Sequence, residues 1–595
     1  MKELLTLNKY FLKYKFRFLF GILFVAISNI FGVLAPRVVR YTFDLIENSV
    51  KFLDLFKGFD TYEELTEVFI KSALIIGAVY IALAILKGIF MFFMRQTLIV
   101  MSRHIEYDLK NEIFDHYQKL SQAFYKRNKT GDLMNRISDD VSKVRMYLGP
   151  AIMYTINMFF TFLFVIYSMI SVNPILTFYV LLPLPILSVL IYFVSNMINR
   201  KSEKVQRQLS GISSFVQETF SGIRILKAYN KEDSFTQNFD KECEDYKNKS
   251  MDLVKVNALF FPFIMLMIGL STIFTVYIGG KQAIMGNISV GNIAEFVIYI
   301  NMITWPVASI GWVTAIIQRA EASQKRINEF LQTEPEIFNE NETEDEYEIA
   351  GKIQFKNVSF TYPDSGITAL KNVSFDILPG QTVALIGKTG SGKTTVVELL
   401  LRLFNPNSGE ILIDEKPIES HNLSYLRRKI GYVPQDVFLF SESIKENISF
   451  GLHSLSNQET IEAAAVDASV HGNILDFPKQ YETLLGERGI TLSGGQKQRI
   501  SIARALIKKP SIFIFDDCLS AVDTETEENI LKSLKRNKQG KTTIIISHRI
   551  SSIIDADKVV VLEDGKIVDE GSPSELAKRE GYYQFLYQQQ QEVSE

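Results

Sequence analysis

The sequence predicts an all-α membrane domain of six helices followed by an α/β phosphate-loop domain, and three observations predict it. The apolar excess lies almost entirely before residue 320, in six stretches long enough to cross a bilayer. From residue 351 onward, short β-branched strands alternate with helical patterns, the rhythm of a parallel α/β sheet. One of those strands runs straight into a glycine-rich GxxxxGKT loop.

A helix needs roughly 20 apolar residues to span the hydrocarbon layer. The six stretches are 18–38, 69–94, 148–171, 174–197, 258–279 and 290–316, so membrane lipid is the first partner implied. Lys87 in the second and Glu295 in the sixth carry charge inside a span. Charge in lipid is costly, so each is expected to face the bundle interior or lie near an interface. The segment 101–147 is basic, with Arg103, Lys110, Lys119, Lys126, Arg127, Lys129, Arg136, Lys143 and Arg145; 199–255 is similarly basic. The positive-inside rule puts these segments and both termini in the cytoplasm. Both carry helical apolar periodicity, as in Ile105, Leu109, Ile113, Tyr117 and Leu120. Spans two to five are therefore expected to continue as helices beyond the membrane. They turn back at tips near Phe124–Asp132 and Ser210–Glu218, either of which can touch another domain.

Composition narrows the function classes. The net charge of −3 excludes the basic surplus a nucleic-acid binder needs, so no nucleic acid is expected as a partner. Two cysteines, Cys243 and Cys518, make neither a disulfide framework nor a CxxC metal site. The amphipathic N-terminus, with Lys2, Lys9, Lys13, Lys15 and Arg17, lacks the small-residue cleavage pattern of a removed signal peptide. Glutamates and Asp345 crowd Glu334–Glu348, which reads as a solvated, extended linker. The expected organisation is a membrane domain over 1–330, an acidic linker over 331–350 and the α/β domain over 351–595.

The strand Val383–Ile386 leads into Gly387, Lys388, Thr389, Gly390, Ser391, Gly392, Lys393 and Thr394, with Thr395 behind them on a helix. Glycines let the backbone wrap a phosphate, and the loop N–H groups and helix N-terminus present partial positive charge to it. Lys393 is expected to reach the β- and γ-phosphates and Thr394 to ligand Mg²⁺. A second apolar strand, 511–515, ends in Asp516, placed to hold the same Mg²⁺. Together these two motifs define a P-loop NTPase.

Between them stands Leu492-Ser493-Gly494-Gly495-Gln496, ahead of an apolar helix beginning near Ile500. Ser493 and the N–H groups of Gly494 and Gly495 form an anion site with no phosphate loop beside it in sequence. LSGGQ between the two phosphate motifs, behind a six-span domain, resembles the type IV (B-subfamily-like) ABC exporters, including bacterial multidrug and lipid exporters, and the likeness covers essentially the full length. The resemblance implies ATP and Mg²⁺ as cofactors, a hydrophobic or amphipathic substrate, and a second ABC half-transporter whose nucleotide is clamped by Ser493, Gly494, Gly495 and Gln496. By the same resemblance Tyr362 stacks on adenine, Gln435 touches Mg²⁺ and the attacking water, and His548 contacts the γ-phosphate. Gly486-Glu487-Arg488-Gly489 corresponds to a loop that senses the hairpin tips, and Ser520-Ala521-Val522-Asp523 to a loop crossing between cassettes.

One position departs from the pattern. The residue after the Mg²⁺-binding Asp is normally Glu; here it is Asp517, one methylene shorter. Misplacement on the order of 1 Å costs about 10²-fold in rate, so hydrolysis at this site is expected to be slow. This substitution resembles heterodimeric exporters with one weak and one competent site; a slow homodimer is the rival. An ATP-gated channel or regulatory subunit is a further alternative. Trp305-Pro306 and Trp312 in the sixth span suit either a cavity wall or an interfacial belt. Drugs, lipids and peptides all remain open as cargo, though no peptidase-like N-terminal extension favours a leader-cleaving peptide exporter.

Overall fold

The computed structural model describes residues 2–339, 348–452, 457–486, 489, 492–518, 524–537 and 540–592. It resolves into two compact units, Met1–His116 with Gly131–Thr333, and Tyr117–Thr130 with Glu334–Glu595.

Among the described residues six helices, which run through the first unit, are long and apolar enough to cross a membrane: Lys15–Leu55, Thr61–Lys119, Thr130–Val172, Pro174–Ser221, Glu232–Ile284 and Val290–Leu331. Every expected span falls inside one of them. They overshoot the bilayer because the basic segments keep a buried apolar stripe, with Leu98, Met101, Ile105, Leu109 and Ile113 all enclosed. The first hairpin closes at a short helix, Gln122–Arg127, which overlaps the start of the expected tip. The second does not close at Ser210–Glu218. That stretch is helical throughout, and the helix runs on to Ser221. Gly222 stops it, a short helix Ile223–Ala228 follows, and Asn230 turns the chain at φ 50° before Glu232. Asparagine tolerates the left-handed region that this turn needs; Ser210–Glu218 stays helical despite Gly211 and its serines, tertiary context overriding weak propensity.

Charges inside the bundle are matched. Glu295 has no exposed surface; it accepts from Tyr299 Oη at 2.9 Å and Asn292 Nδ2 at 3.2 Å, and pairs with Arg40 at 3.5 Å. Lys87, in contrast, is exposed on its helix beside Gly32. Asn29 donates to Asn157 at 2.9 Å and accepts from Thr161 at 2.6 Å, joining the first and third spans. π turns at Arg136–Asp140 and Tyr147–Ala151 interrupt the third span's helix, and Pro150 accounts for the second by lacking an N–H. The first turn aims the buried Asp140 at Arg326 and at Ser323, which donates at 2.8 Å. Trp305 is largely exposed and Trp312 packs edge-on to Tyr154. Neither lines the cavity of about 120 Å³ between the fourth and sixth spans.

The second unit holds two sheets. An antiparallel one runs β2-β1-β4-β5, with β1 Ile353–Thr361, β2 Thr368–Ile377, β4 Ser408–Ile413 and β5 Lys416–Pro417. The larger runs β10-β9-β3-β8-β7-β6, with β3 Thr382–Ile386, β6 Ile430–Val433, β7 Ile512–Asp516, β8 Thr542–Ile546, β9 Lys558–Glu563 and β10 Lys566–Gly571. It is parallel except at β10. Its central strands are buried on both faces, which is why they read as unbroken apolar runs. Alternate side chains feed two cores. Ile512, Ile514 and Ile546 pack with the antiparallel sheet and the helix Lys393–Leu400; Phe513, Phe515 and Ile545 pack with the helix Gly494–Leu506. The linker is less free than its charge implies. Phe338 O accepts from Arg402 and Asn339 Oδ1 from Leu423 N at 2.7 Å, because few acidic residues precede Glu340. The acidic run 340–347 lies outside the described residues.

Removing one partner of a buried ion pair strands the other, at about 3–5 kcal/mol. Arg40→Met is therefore expected to lower the melting temperature of the detergent-solubilised protein sharply, and Arg40→Met with Glu295→Gln to recover most of the loss. Differential scanning fluorimetry on both variants checks this.

Candidate functional site

The site forms where the parallel strands end. β3 passes into the glycine loop, β7 ends in Asp516 and Asp517, β8 is followed by His548, and β6 by Gln435. Ile546 pairs in register with both Leu385 and Asp516, so the ladder itself brings loop and carboxylates to one edge. Ligands of open α/β sheets bind at this edge.

Two glycines in the loop cannot be replaced without collision. A Cβ on Gly387 would meet Leu562 O at 2.1 Å, and one on Gly392 would meet Ala369 O at 2.5 Å. Gly392 sits at φ 101° and delivers the chain into the helix Lys393–Leu400. Lys393 is buried, and its ammonium donates to Gly387 O at 2.8 Å and Lys388 O at 2.9 Å. Burial holds its pKa below the ordinary lysine value, with the charges of Asp516 and Asp517 opposing. The Lys388 side chain turns away to pair with Glu563 at 3.0 Å, which leaves only its backbone at the loop. Ser391 Oγ and Asp516 Oδ2 are both buried without a hydrogen-bond partner. The Thr394 hydroxyl beside Asp516 works against the burial that raises its carboxyl. A hydroxyl, a carboxylate and an orphaned carboxylate oxygen at the mouth of a phosphate loop fit the oxygen ligands a Mg²⁺ ion takes.

Asp517 lies at φ 44°, and its N–H donates to Ile546 O at 2.9 Å, one rung beyond the strand. Gln435 Nε2 donates to its Oδ2 at 3.3 Å. His548 is half-buried at the end of the next strand. Its carbonyl accepts from Gln590 Nε2 at 2.8 Å, and Gln590 Oε1 accepts from Ile550 N at 2.8 Å. The helix Tyr582–Glu592 thus braces the loop that carries His548, a part that nothing but a run of glutamines announces.

Tyr362 is tied to the phosphate-loop helix. Its hydroxyl bonds Thr395 Oγ1 at 2.9 Å and donates to Glu398 Oε2 at 2.7 Å. Thr395 therefore directs its hydroxyl to Tyr362. Burial, with Glu398 adding to it, keeps the phenol well above its ordinary pKa. Sequence reasoning passed over Glu398, which five residues past Lys393 reads as any helix-surface carboxylate.

Ser493, Gly494, Gly495 and Gln496 begin a different helix from the one behind the phosphate loop. Ser493 caps the helix Gly494–Leu506: its Oγ accepts from Gln496 N at 3.3 Å and its N–H donates to Gln496 Oε1 at 3.0 Å. That helix packs on the opposite face of the parallel sheet from Lys393–Leu400. Glu487, Arg488 and the loop Ser520–Asp523 lie outside the described residues.

Comparison with known proteins agrees with this architecture. The family model for the ABC transporter transmembrane region matches residues 18–307, and the ABC transporter model matches 370–520. A probable multidrug resistance ABC transporter ATP-binding/permease protein of Bacillus subtilis is 38% identical over 416 residues, 70% of this chain and 71% of that protein. A multidrug resistance-like ATP-binding protein of Buchnera aphidicola is 32% identical over 586 residues, 98% of this chain and 97% of the other. A bacterial Atm1-family ABC exporter solved with ATP bound shares the fold at a TM-score of 0.78 and 24% identity, with 96% of this chain and 99% of that one covered.

Burial lifts the Asp516 carboxyl to about 6. The metal-free folded chain therefore keeps a proton that the unfolded chain releases near ~3.9, so its stability falls as pH rises from about 4 to 6. Asp516→Asn is expected to stabilise metal-free protein in EDTA at pH 8, by on the order of 2 kcal/mol, and to do little near pH 4. Thermal melts across that range test it.

Proposed function

This chain belongs to the ABC transporter family, and on that premise we propose that it is one half of a two-chain pump whose own phosphate loop holds ATP while its signature helix completes the partner's site. It is an integral membrane protein that couples ATP hydrolysis to export, as its cassette and exporter relatives establish. The single observation that carries the pairing is the placement of Lys393–Leu400 and Gly494–Leu506 on opposite faces of one sheet. A phosphate seated on the first helix cannot also sit on the N-terminus of the second, so the anion at Ser493 belongs to another cassette.

Within the site, Gly387–Thr395 wrap the phosphates through backbone N–H groups, and Lys393 leaves its loop carbonyls for the β- and γ-oxygens. Thr394, Asp516 and Gln435 would hold Mg²⁺, and the ion would supply charge neutralisation at the phosphate oxygens. Tyr362 presents its ring to adenine. Asp517 orients the attacking water and His548 steadies the γ-phosphoryl group. The chemistry asked of the protein is positioning and charge neutralisation. The bacterial inner membrane, with cassette and termini cytoplasmic, is the location the basic hairpins favour.

The cargo is hydrophobic or amphipathic. The cavity between the fourth and sixth spans supports this reading: Ser195, Asn196, Asn199, Thr314 and Gln318 share its wall with Ile191, and no charged residue lines it. Such a wall offers hydrogen bonds along with apolar contact.

Asp517 favours a partner bearing glutamate at this position. Expressed alone, the chain is expected to hydrolyse ATP slowly, and Asp517→Glu to raise turnover by about 10²-fold. Co-expression with a neighbouring half-transporter should give brisk, substrate-stimulated ATPase and vectorial transport into inverted vesicles. Brisk turnover by the chain alone, unchanged in Asp517→Glu, overturns the heterodimer; ion current without stoichiometric hydrolysis turns the reading to a gated channel.

A further inference from the structure

Residues Tyr117–Thr130, the turn of the first hairpin, belong to the same compact unit as the cassette. Ala123 is 2% exposed and sits in the core shared by the antiparallel sheet and the phosphate-loop helix. Arg127 pairs with Glu336 at 3.0 Å. Lys126 does more than anchor. Its ammonium lies 4.8 Å above the ring of Tyr362 and 4.8 Å from that of Phe404, and pairs with Glu398 at 3.1 Å. Glu398 in turn accepts the Tyr362 hydroxyl at 2.7 Å, and Thr395 lies 2.9 Å from the same oxygen. Phe360 and Phe404 hold the tyrosine ring edge-on, 4.9 and 5.6 Å away at 82° and 88°.

Three elements thus converge on one carboxylate. The hairpin contributes a cation, the aromatic turn a phenol, and the helix that begins at Lys393 the carboxylate itself. The ring is fixed at its hydroxyl by the phosphate-loop helix and near its face by the hairpin. A base that stacks on the face Lys126 covers displaces Lys126, and moving Lys126 loosens its contacts with both the ring and Glu398. A cation near an aromatic face is attracted to it, more strongly once water is excluded.

We propose that Lys126 and Glu398 are positioning residues that tie occupancy of the base platform on Tyr362 to the seating of the first hairpin, so that the nucleotide's base, separately from its phosphates, reports to the membrane helices. The inference rests on the reading of Tyr362 as the platform for adenine. Because coupling between two sites is reciprocal, hairpin seating tightens base binding by the same factor. The second and third membrane helices are continuous in sequence with this turn, so a signal received at Lys126 enters the bundle directly.

Inorganic tripolyphosphate offers the phosphate loop its anion without a base, and separates the two contributions. Hydrogen exchange on the full-length chain in lipid nanodiscs is expected to show the amides of Gln122–Asn128 slowed by ATP about tenfold more than by saturating tripolyphosphate. Lys126→Met and Glu398→Gln should erase that difference, weaken ATP about tenfold and leave tripolyphosphate affinity within about twofold, while Lys126→Arg restores wild-type behaviour. Equal protection by both ligands in the wild-type chain, or none by either, overturns the proposal without any variant. Equal losses for ATP and tripolyphosphate in the variants reduce the cluster to structural support and also overturn it. Tyr362→Ala separates the two levels: unchanged ATP affinity refutes the base platform and this inference with it. Weakened ATP alongside a persisting ligand difference in Lys126→Met refutes the inference alone.

Discussion

The parallel ladder of β3, β8 and β7 is the constraint from which the nucleotide site follows. Ile546 sits opposite Leu385 on one side and Asp516 on the other, so the strand ends cannot shift relative to each other without breaking two sets of backbone bonds. A slip by one residue would also turn Phe513 and Ile514 to the wrong cores. The glycine loop, the carboxylates and His548 therefore share an edge because the backbone aligns them. The side chains supply the chemistry once aligned. Desolvation inside that edge is substantial: it depresses the Lys393 ammonium and lifts the Asp516 carboxyl, the strain a charged ligand would relieve.

Under the pairing proposed, the same sheet explains why one cassette would need a second. Period-two alternation along β7 sends Ile512 and Ile514 to one core and Phe513 and Phe515 to the other. Each core recruits its own helix, and each helix presents its N-terminus on its own side. Two anion sites result, and one phosphate cannot serve both. A sheet buried on both faces is the ordinary outcome of parallel α/β packing. Dimerisation of cassettes is then the simplest way to bring a loop of one copy to a helix terminus of another.

Much of this was legible beforehand, for physical reasons that differ by element. The membrane helices announce themselves because lipid permits few alternatives to a long apolar helix. The phosphate loop is legible because steric need restricts Gly387 and Gly392 to glycine. The second hairpin tip was misjudged because Gly211 and the serines around it resemble a turn, yet the helix runs through them and the chain turns only at Gly222 and Asn230. Glu398, whose partners Lys126 and Tyr362 lie 272 and 36 residues away, and Gln590, whose partner lies 42 away, were missed because a charged or amide residue on a helix surface carries no local sign of such a partner; Lys126 was read only as part of a tip able to touch another domain. Lys87 and Glu295 looked alike in sequence, yet Glu295 found Arg40, Asn292 and Tyr299 while Lys87 stayed at the surface.

The short carboxylate at 517 belongs to the same logic. Its N–H extends the β7–β8 ladder by one rung, and the chain then turns at φ 44°. Aspartate tolerates that left-handed backbone better than a longer side chain, because its short polar group bonds locally. The backbone thus fixes where the side chain begins, and losing a methylene shortens its reach into the site. Gln435 lies within its reach, 3.3 Å away. Under the pairing proposed, such a change weakens chemistry on this chain's own nucleotide. It leaves the capping box at Ser493 untouched, since that helix grows from the other core. A cassette built on two faces can therefore lose speed at one site without losing its contribution to the other. Asymmetric pumps need that independence, and the sheet provides it with no further adaptation.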